Sequence, residues 1–264
     1  MQVGNITIRQ LFNQDRRYVV PLYQRPYVWQ QQIQWEPLWE DIRTLAERLP
    51  DHAETRAHFI GAIVLEYVPQ PAGAMEIRLV IDGQQRLTTV QILLEALYDY
   101  CGSIGAAKLH QAIEKLVRND DPLSTDPIDR YKIWPTNVDR LHFERIMEAN
   151  STNELKALYE QPLTVKRLGH NIADGYLYFY ETIAGWAEED IDQREDRLKT
   201  LILAIGHKVG LVVIDVEKGD DAQVIFETVN ALGTPLLPSD LVMSHLFQRA
   251  DIEGGTLGGL DEHD

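Results

Sequence analysis

The chain has 264 residues, 44% of them hydrophobic, enough for one large domain or two small ones around a real core. Its formal net charge of −16 speaks against a protein that tracks long stretches of DNA, and its one cysteine, Cys101, excludes an internal disulfide or a multi-cysteine zinc site. No signal-peptide-like start and no apolar run of membrane-spanning length is present, so a soluble cytoplasmic protein with no membrane partner is expected.

In chain order, residues 5–12 read as a short strand leading into a turn. Residues 20–29, Val-Pro-Leu-Tyr-Gln-Arg-Pro-Tyr-Val-Trp, hold two prolines that impose an extended path, giving an aromatic and polar surface rather than a core stripe. Residues 33–49 form an amphipathic helix with Trp35, Leu38, Trp39, Ile42 and Leu45 on one face. Residues 59–68 are an apolar strand, 69–74 the loop of a hairpin, and 76–81 its second arm. Helices follow at about 84–100, 105–118, 136–149, 152–160, 166–188 and 193–206, with Cys101 a packed thiol near a helix end. Residues 211–216 are a late strand able to rejoin the first sheet. Two helices, 221–231 and 239–249, close the pattern, separated by Gly233 and a cap near Ser239 or Asp240. From Asp251 a Gly-rich acidic tail follows, and no internal repeat is visible. The fold class is α+β.

The most informative stretch is Val80-Ile81-Asp82-Gly83-Gln84-Gln85-Arg86. An apolar strand runs into an Asp-Gly turn, and Gly83 tolerates the positive φ of a tight reversal. Gln84, Gln85 and Arg86 then open a helix, where free backbone N–H groups and the helix dipole favour an anion. The bland alternative is a strand–turn–helix junction with exposed polar side chains.

Charge is unevenly spread. Residues 1–50 carry six arginines against five acids, so nearly all the negative charge lies beyond them. Any DNA contact is therefore expected from Arg16, Arg17 and Arg25, whose alternative role is ordinary surface charge. There is no Walker-type loop, no His-Glu-x-x-His, no Gly-x-Ser-x-Gly and no metal-ligand spacing among the eight scattered histidines. No HNH-like cluster is present, so the chain is not expected to cut DNA by itself. Trp134, Trp186, Tyr176, Tyr178 and Tyr180 read as helix packing.

These segments, in this order and spacing, resemble the N-terminal domain of GmrSD-type restriction endonucleases and their relatives, which include SspE-type sensors of phosphorothioate-modified DNA. The resemblance is carried by Pro21-Leu22-Tyr23-Gln24-Arg25-Pro26-Tyr27-Val28-Trp29, by Phe59-Ile60-Gly61-Ala62-Ile63-Val64-Leu65 and by Ile81 to Arg86. It continues in Tyr131-Lys132-Ile133-Trp134-Pro135-Thr136 with Asp139 and Phe143, then Phe226, Glu227, Asn230, Gly233, Leu236, Asp240 and Leu241, covering roughly residues 5–247.

The resemblance implies a small ParB/sulfiredoxin-like mixed sheet with a large, mostly helical remainder. It implies one domain at 1–250, with an α/β part at about 1–100 plus 210–250, a helical part at about 101–209, and a tail or linker at 251–264. Its implied activity is hydrolysis of a nucleoside triphosphate, GTP or ATP with Mg²⁺, in bacterial defence against foreign DNA. A C-terminal or separate HNH-type nuclease domain would make the cut, and a homo-oligomer is compatible with this.

On that reading Asp82 positions or deprotonates water or holds Mg²⁺ through water, Gln84 and Gln85 orient water and phosphate oxygens, and Arg86 faces the terminal phosphate. Gly83, Arg25, Asn230 and Asp240 complete nucleotide binding, although Asn230 and Asp240 have helix capping as their alternative. Modified DNA is sensed by Pro21, Tyr23, Gln24, Arg25 and Tyr27 with Arg16 and Arg17. A sulfur on phosphate is larger and less hydrated than oxygen, so it calls for an apolar wall (Pro21, Leu22, Tyr23, Pro26, Tyr27) beside the polar Gln24 and Arg25. The chain departs from the family where Leu232 and Met243-Ser244 replace basic residues, and Gly83-Gln84-Gln85-Arg86 lacks the cysteine of sulfiredoxin chemistry. A ParB-like nucleotide-switched DNA-binding module and a non-catalytic assembly module controlling a nuclease are the alternatives.

Overall fold

A computed structural model describes residues 2–50, 56–149, 152–159 and 170–216. The chain runs β1 (Gln2–Thr7), α1 (Ile8–Phe12), β2 (Arg16–Val19), a π-turn (Gln31–Trp35) and α2 (Glu36–Arg48). Next come β3 (His58–Val68), β4 (Glu76–Asp82), α3 (Gln84–Ser103), α4 (Ala107–Val117), a 3-10 turn (Pro127–Arg130) and β5 (Ile133–Trp134). It continues through α5 (Asn137–Met147), α6 (Thr152–Tyr159), α7 (His170–Glu188), α8 (Arg194–Lys208) and β6 (Val209–Val216). The described residues are thus a mixed α+β fold. Helices 221–231 and 239–249 and the tail, expected from the sequence, lie outside the described residues.

The strands form one sheet in the order β1-β6-β3-β4-β2-β5. β1 is antiparallel to β6 and β3 to β4, while β3–β6, β2–β4 and β2–β5 are parallel. The predicted hairpin and the late strand rejoining the sheet are both present. Side chains alternate across β3, so Ile63 and Leu65 join Val80, Leu211 and Val213 in the main core under the helices. Val64, between them in sequence, meets Ile81 and Val216 in a second apolar cluster.

Helix α3 is buried almost all round and packs against α7 and α4. A helix so apolar belongs in the centre of a fold rather than on its surface. Among its polar residues, Gln91 donates to the Leu116 carbonyl at 2.9 Å while its Oε1 is buried without a partner, and Glu95 pairs with Arg118. Cys101 is buried near its end, and Trp134, Trp186 and Tyr176 are core residues.

Two local expectations are corrected. Residues 5–12 are not a strand running into a turn: the strand stops at Thr7 and Ile8–Phe12 is helical. Thr7 and Gln10 form a reciprocal capping box there, and Ile8, Leu11 and Phe12 bury one face of the turn. The short strands β2 and β5 were not anticipated. They are held by Asn119, whose side chain accepts from the Arg16 amide and donates to the carbonyls of Arg16, Asp129 and Tyr131.

Candidate functional site

The site is built at the corner between β4 and α3. Asp82 is the last residue of β4, and Gly83 reverses the chain with φ +92° before α3 begins. Only glycine fits, because a Cβ on Gly83 would lie 2.5 Å from the Ile63 side chain on the neighbouring strand. No side chain caps α3. Its N-terminus, with the backbone N–H groups of its first turn, follows directly after Asp82 and Gly83.

Arg86 lies in the first turn of α3. Its Nη1 donates to the Ala62 carbonyl at 3.0 Å and sits 3.8 Å from the Asp82 carboxylate. To get there the guanidinium crosses Gly61 of β3, where φ is +109° and a Cβ would stand 2.8 Å from Arg86 Nε. The β3–β6 pairing shifts register at this point, between Phe59 and Ala62. Two glycines therefore make room: Gly83 for the reversal and Gly61 for the arginine.

Between Asp82 and Arg86 the two glutamines are buried. Gln84 donates to the Arg25 carbonyl at 2.8 Å and to Gln24 Oε1 at 3.3 Å. Gln85 accepts from the Val28 amide at 2.9 Å and donates to the Pro26 carbonyl at 3.0 Å. Gln24 reaches back to the Ile81 carbonyl at 2.8 Å. Three carboxamides thus fasten the proline-flanked loop onto the strand–helix corner. The motif divides in two: its ends, Asp82 and Arg86, are half-exposed, and its middle grips the loop.

Tyr27 anchors that loop from below. Its hydroxyl meets Thr89 Oγ1 at 2.6 Å and accepts from Trp35 Nε1 at 2.8 Å, and burial pushes the phenol above its ordinary range. Its amide donates to Asp139 Oδ2 at 2.8 Å, an oxygen that also accepts from Thr136. Asp139 Oδ1 is buried without a hydrogen-bond partner, and burial raises this carboxyl above the usual carboxylate range. Arg25 is exposed, and Pro21, Tyr23 and Gln24 are half-buried. Arg16 and Arg17 lie away from the corner, in ion pairs with Glu76 and with Asp126 and Asp129. Asn230 and Asp240 lie outside the described residues.

Arg86 also lines a cavity of about 190 Å³ walled by Trp29, Leu38 and Ile60. His58 and Asp41 face into it, with His58 Nε2 3.5 Å from Asp41 Oδ2. Sequence reasoning missed both. His58 is one of the scattered histidines, and its partner is distant in sequence, so no spacing could have linked them. Among the described residues no group of three or more His, Cys, Asp or Glu could hold a metal ion, and no helix is long and apolar enough to cross a membrane.

The model of the GmrSD restriction endonuclease N-terminal domain matches residues 8–247. The chain belongs to this family. Membership points to a role in a restriction system, and the matched span takes in every feature of the corner, from the loop at 21–29 to Arg86. No curated protein matches this GmrSD N-terminal domain.

Proposed function

We propose that this GmrSD N-terminal domain hydrolyses a nucleoside triphosphate, GTP before ATP, at the corner between β4 and α3, and that the 21–29 loop responds to modified DNA, phosphorothioate first. The domain would act in the cytoplasm as the sensor of a bacterial restriction system, with cutting left to an HNH-type nuclease domain on the same or a separate chain. The mixed sheet with its strand–glycine–helix corner is in keeping with a ParB/sulfiredoxin-like nucleotidase fold.

One observation carries this reading: Gln84 and Gln85 open α3 and hold the backbone of Arg25, Pro26 and Val28. A ligand that shifts the loop must disturb the first turn of α3, and a polyphosphate on that turn must disturb the loop. Two ligands that bias one element in this way are coupled reciprocally. Asp82 and Arg86 keep the chemistry, and the uncapped helix N-terminus suits phosphate oxygens. Arg25, exposed on the same loop, is a second cation for either ligand.

Asp82 is a single carboxylate beside Arg86, with no ligand cluster among the described residues. That donor set fits Mg²⁺ arriving on the phosphates and keeping most of its waters. Bound there, it would supply charge neutralisation to the phosphates. The ion pairs at Arg16 and Arg17 and the charge of −16 weigh against a clamp that tracks long DNA. The test is phosphate release from GTP, ATP and CTP with and without short plain or phosphorothioate DNA. Turnover changed by modified DNA supports the sensor. Turnover indifferent to it removes the sensing half, and no turnover in the folded protein leaves an assembly module.

A further inference from the structure

We propose that His58, oriented by Asp41, is the proton acceptor of this hydrolysis, an inference that rests on the reading of the β4–α3 corner given above. Arg86 connects two places. Its guanidinium stands 3.8 Å from Asp82, and its side chain also lines the cavity that His58 and Asp41 line. An anionic group held by Arg86 in that cavity would share it with the imidazole.

The pair has the parts that proton transfer needs. Imidazole is the side chain whose ordinary titration range lies nearest neutral pH. Asp41 Oδ2, on α2, lies 3.5 Å from Nε2; with a proton on that nitrogen, Nδ1 is left to accept one. Trp29, Leu38 and Ile60 give the cavity apolar walls beside the pair. Among the described residues the titratable groups facing His58 in the cavity are Asp41 from α2 and Arg86 from α3. About 190 Å³ is room for a terminal phosphoryl group and a water, not for a whole nucleotide.

In the step itself the water oxygen attacks the terminal phosphorus while its proton passes to His58 Nδ1. The bond from that phosphorus to the bridging oxygen breaks, and its electron pair stays on the released diphosphate. Arg86 offsets the charge that develops on the transferring group.

The experiment compares the full chain with His58→Ala, His58→Gln and Asp41→Asn. It measures GTP turnover with Mg²⁺, binding of a non-hydrolysable GTP analogue, and thermal melting. We expect His58→Ala to lose turnover about 100-fold while analogue binding is little changed, and added imidazole to restore part of the rate. Asp41→Asn should fall between the two. If His58→Ala melts without cooperativity, His58→Gln, which keeps a polar side chain of similar reach, carries the same comparison. Wild-type turnover in either folded His58 variant, with Asp82→Asn inactive, overturns this inference and leaves the corner reading standing. So does loss of analogue binding equal to the loss of rate. No turnover in the wild-type protein overturns the corner reading and this inference with it.

Discussion

The carboxamide of Gln85 accepts a hydrogen bond from the Val28 amide at 2.9 Å, tying the second residue of α3 to the far end of the proline-flanked loop. Its other end donates to the Pro26 carbonyl at 3.0 Å. Gln85→Leu fills a similar space but leaves both backbone groups without this partner. Each lost partner costs on the order of 1 kcal/mol, so the variant should be about 2 kcal/mol less stable. The 21–29 segment should also be cut sooner at Tyr23 and Tyr27. Urea midpoints and limited chymotrypsin digestion check both, and an unchanged digestion pattern would mean the glutamine does not hold the loop.

Gly61 and Gly73 offer a controlled pair. Both have positive φ, +109° and +86°, but a Cβ on Gly73 meets nothing within 4 Å whereas one on Gly61 lies 2.8 Å from Arg86 Nε. Alanine at either should cost about 1 kcal/mol through the backbone. Only Gly61→Ala should also displace Arg86 and depress nucleotide turnover. Equal turnover in the two variants would show that the position of Arg86 is unimportant.

Arg118, just past α4, pairs with the buried Glu95 of α3 and also donates to the Met147 carbonyl at 2.6 Å. Burial pushes the Glu95 carboxyl up, and the guanidinium opposes it. Arg118→Met strands that carboxylate and should cost about 3–5 kcal/mol. The same change in a Glu95→Gln background should cost clearly less, since no buried charge remains. Chemical denaturation of the four proteins of this cycle measures the difference.

Lys132 predicts a pH dependence. Its side chain is fully buried, donating to the Gln14 carbonyl at 2.7 Å, and burial pushes the ammonium down to about 7 against the pull of Asp15. The unfolded chain holds this proton up to its ordinary value of 10.5. Between those two values the unfolded state binds more protons, so this group makes stability rise with pH across the window. Below about 7 both states are charged and its contribution is flat. The urea midpoint of the wild type should gain on that of Lys132→Met as pH rises through the window. Parallel curves would show that Lys132 does not titrate there.

The hairpin of β3 and β4 was legible because Pro69 to Ala74 separate two apolar runs, and α3 because its apolar spacing persists for several turns. The signals for α1, β2 and β5 were too short. Two arginines open β2, and β5 is only two residues, placed by Asn119 rather than by its own pattern. At the site, the Asp-Gly reversal and the position of Gln84, Gln85 and Arg86 at a helix start followed from local chemistry. The partners of the glutamines did not. Polar residues at a helix N-terminus read as exposed, and only the fold brings the carbonyls of Arg25 and Pro26 onto them. The meeting of His58 with Asp41 is likewise a product of β3 packing beside α2.

On the proposed function the ends of the Asp82–Arg86 motif perform chemistry while its middle grips the loop. Phosphate release from GTP with Mg²⁺ by the wild type and Asp82→Asn, with melting midpoints taken on the same samples, tests this most directly. The predicted result is turnover in the wild type, a loss of about 100-fold or more in the variant, and matching midpoints. Equal turnover in both proteins, or none in the folded wild type, would contradict it.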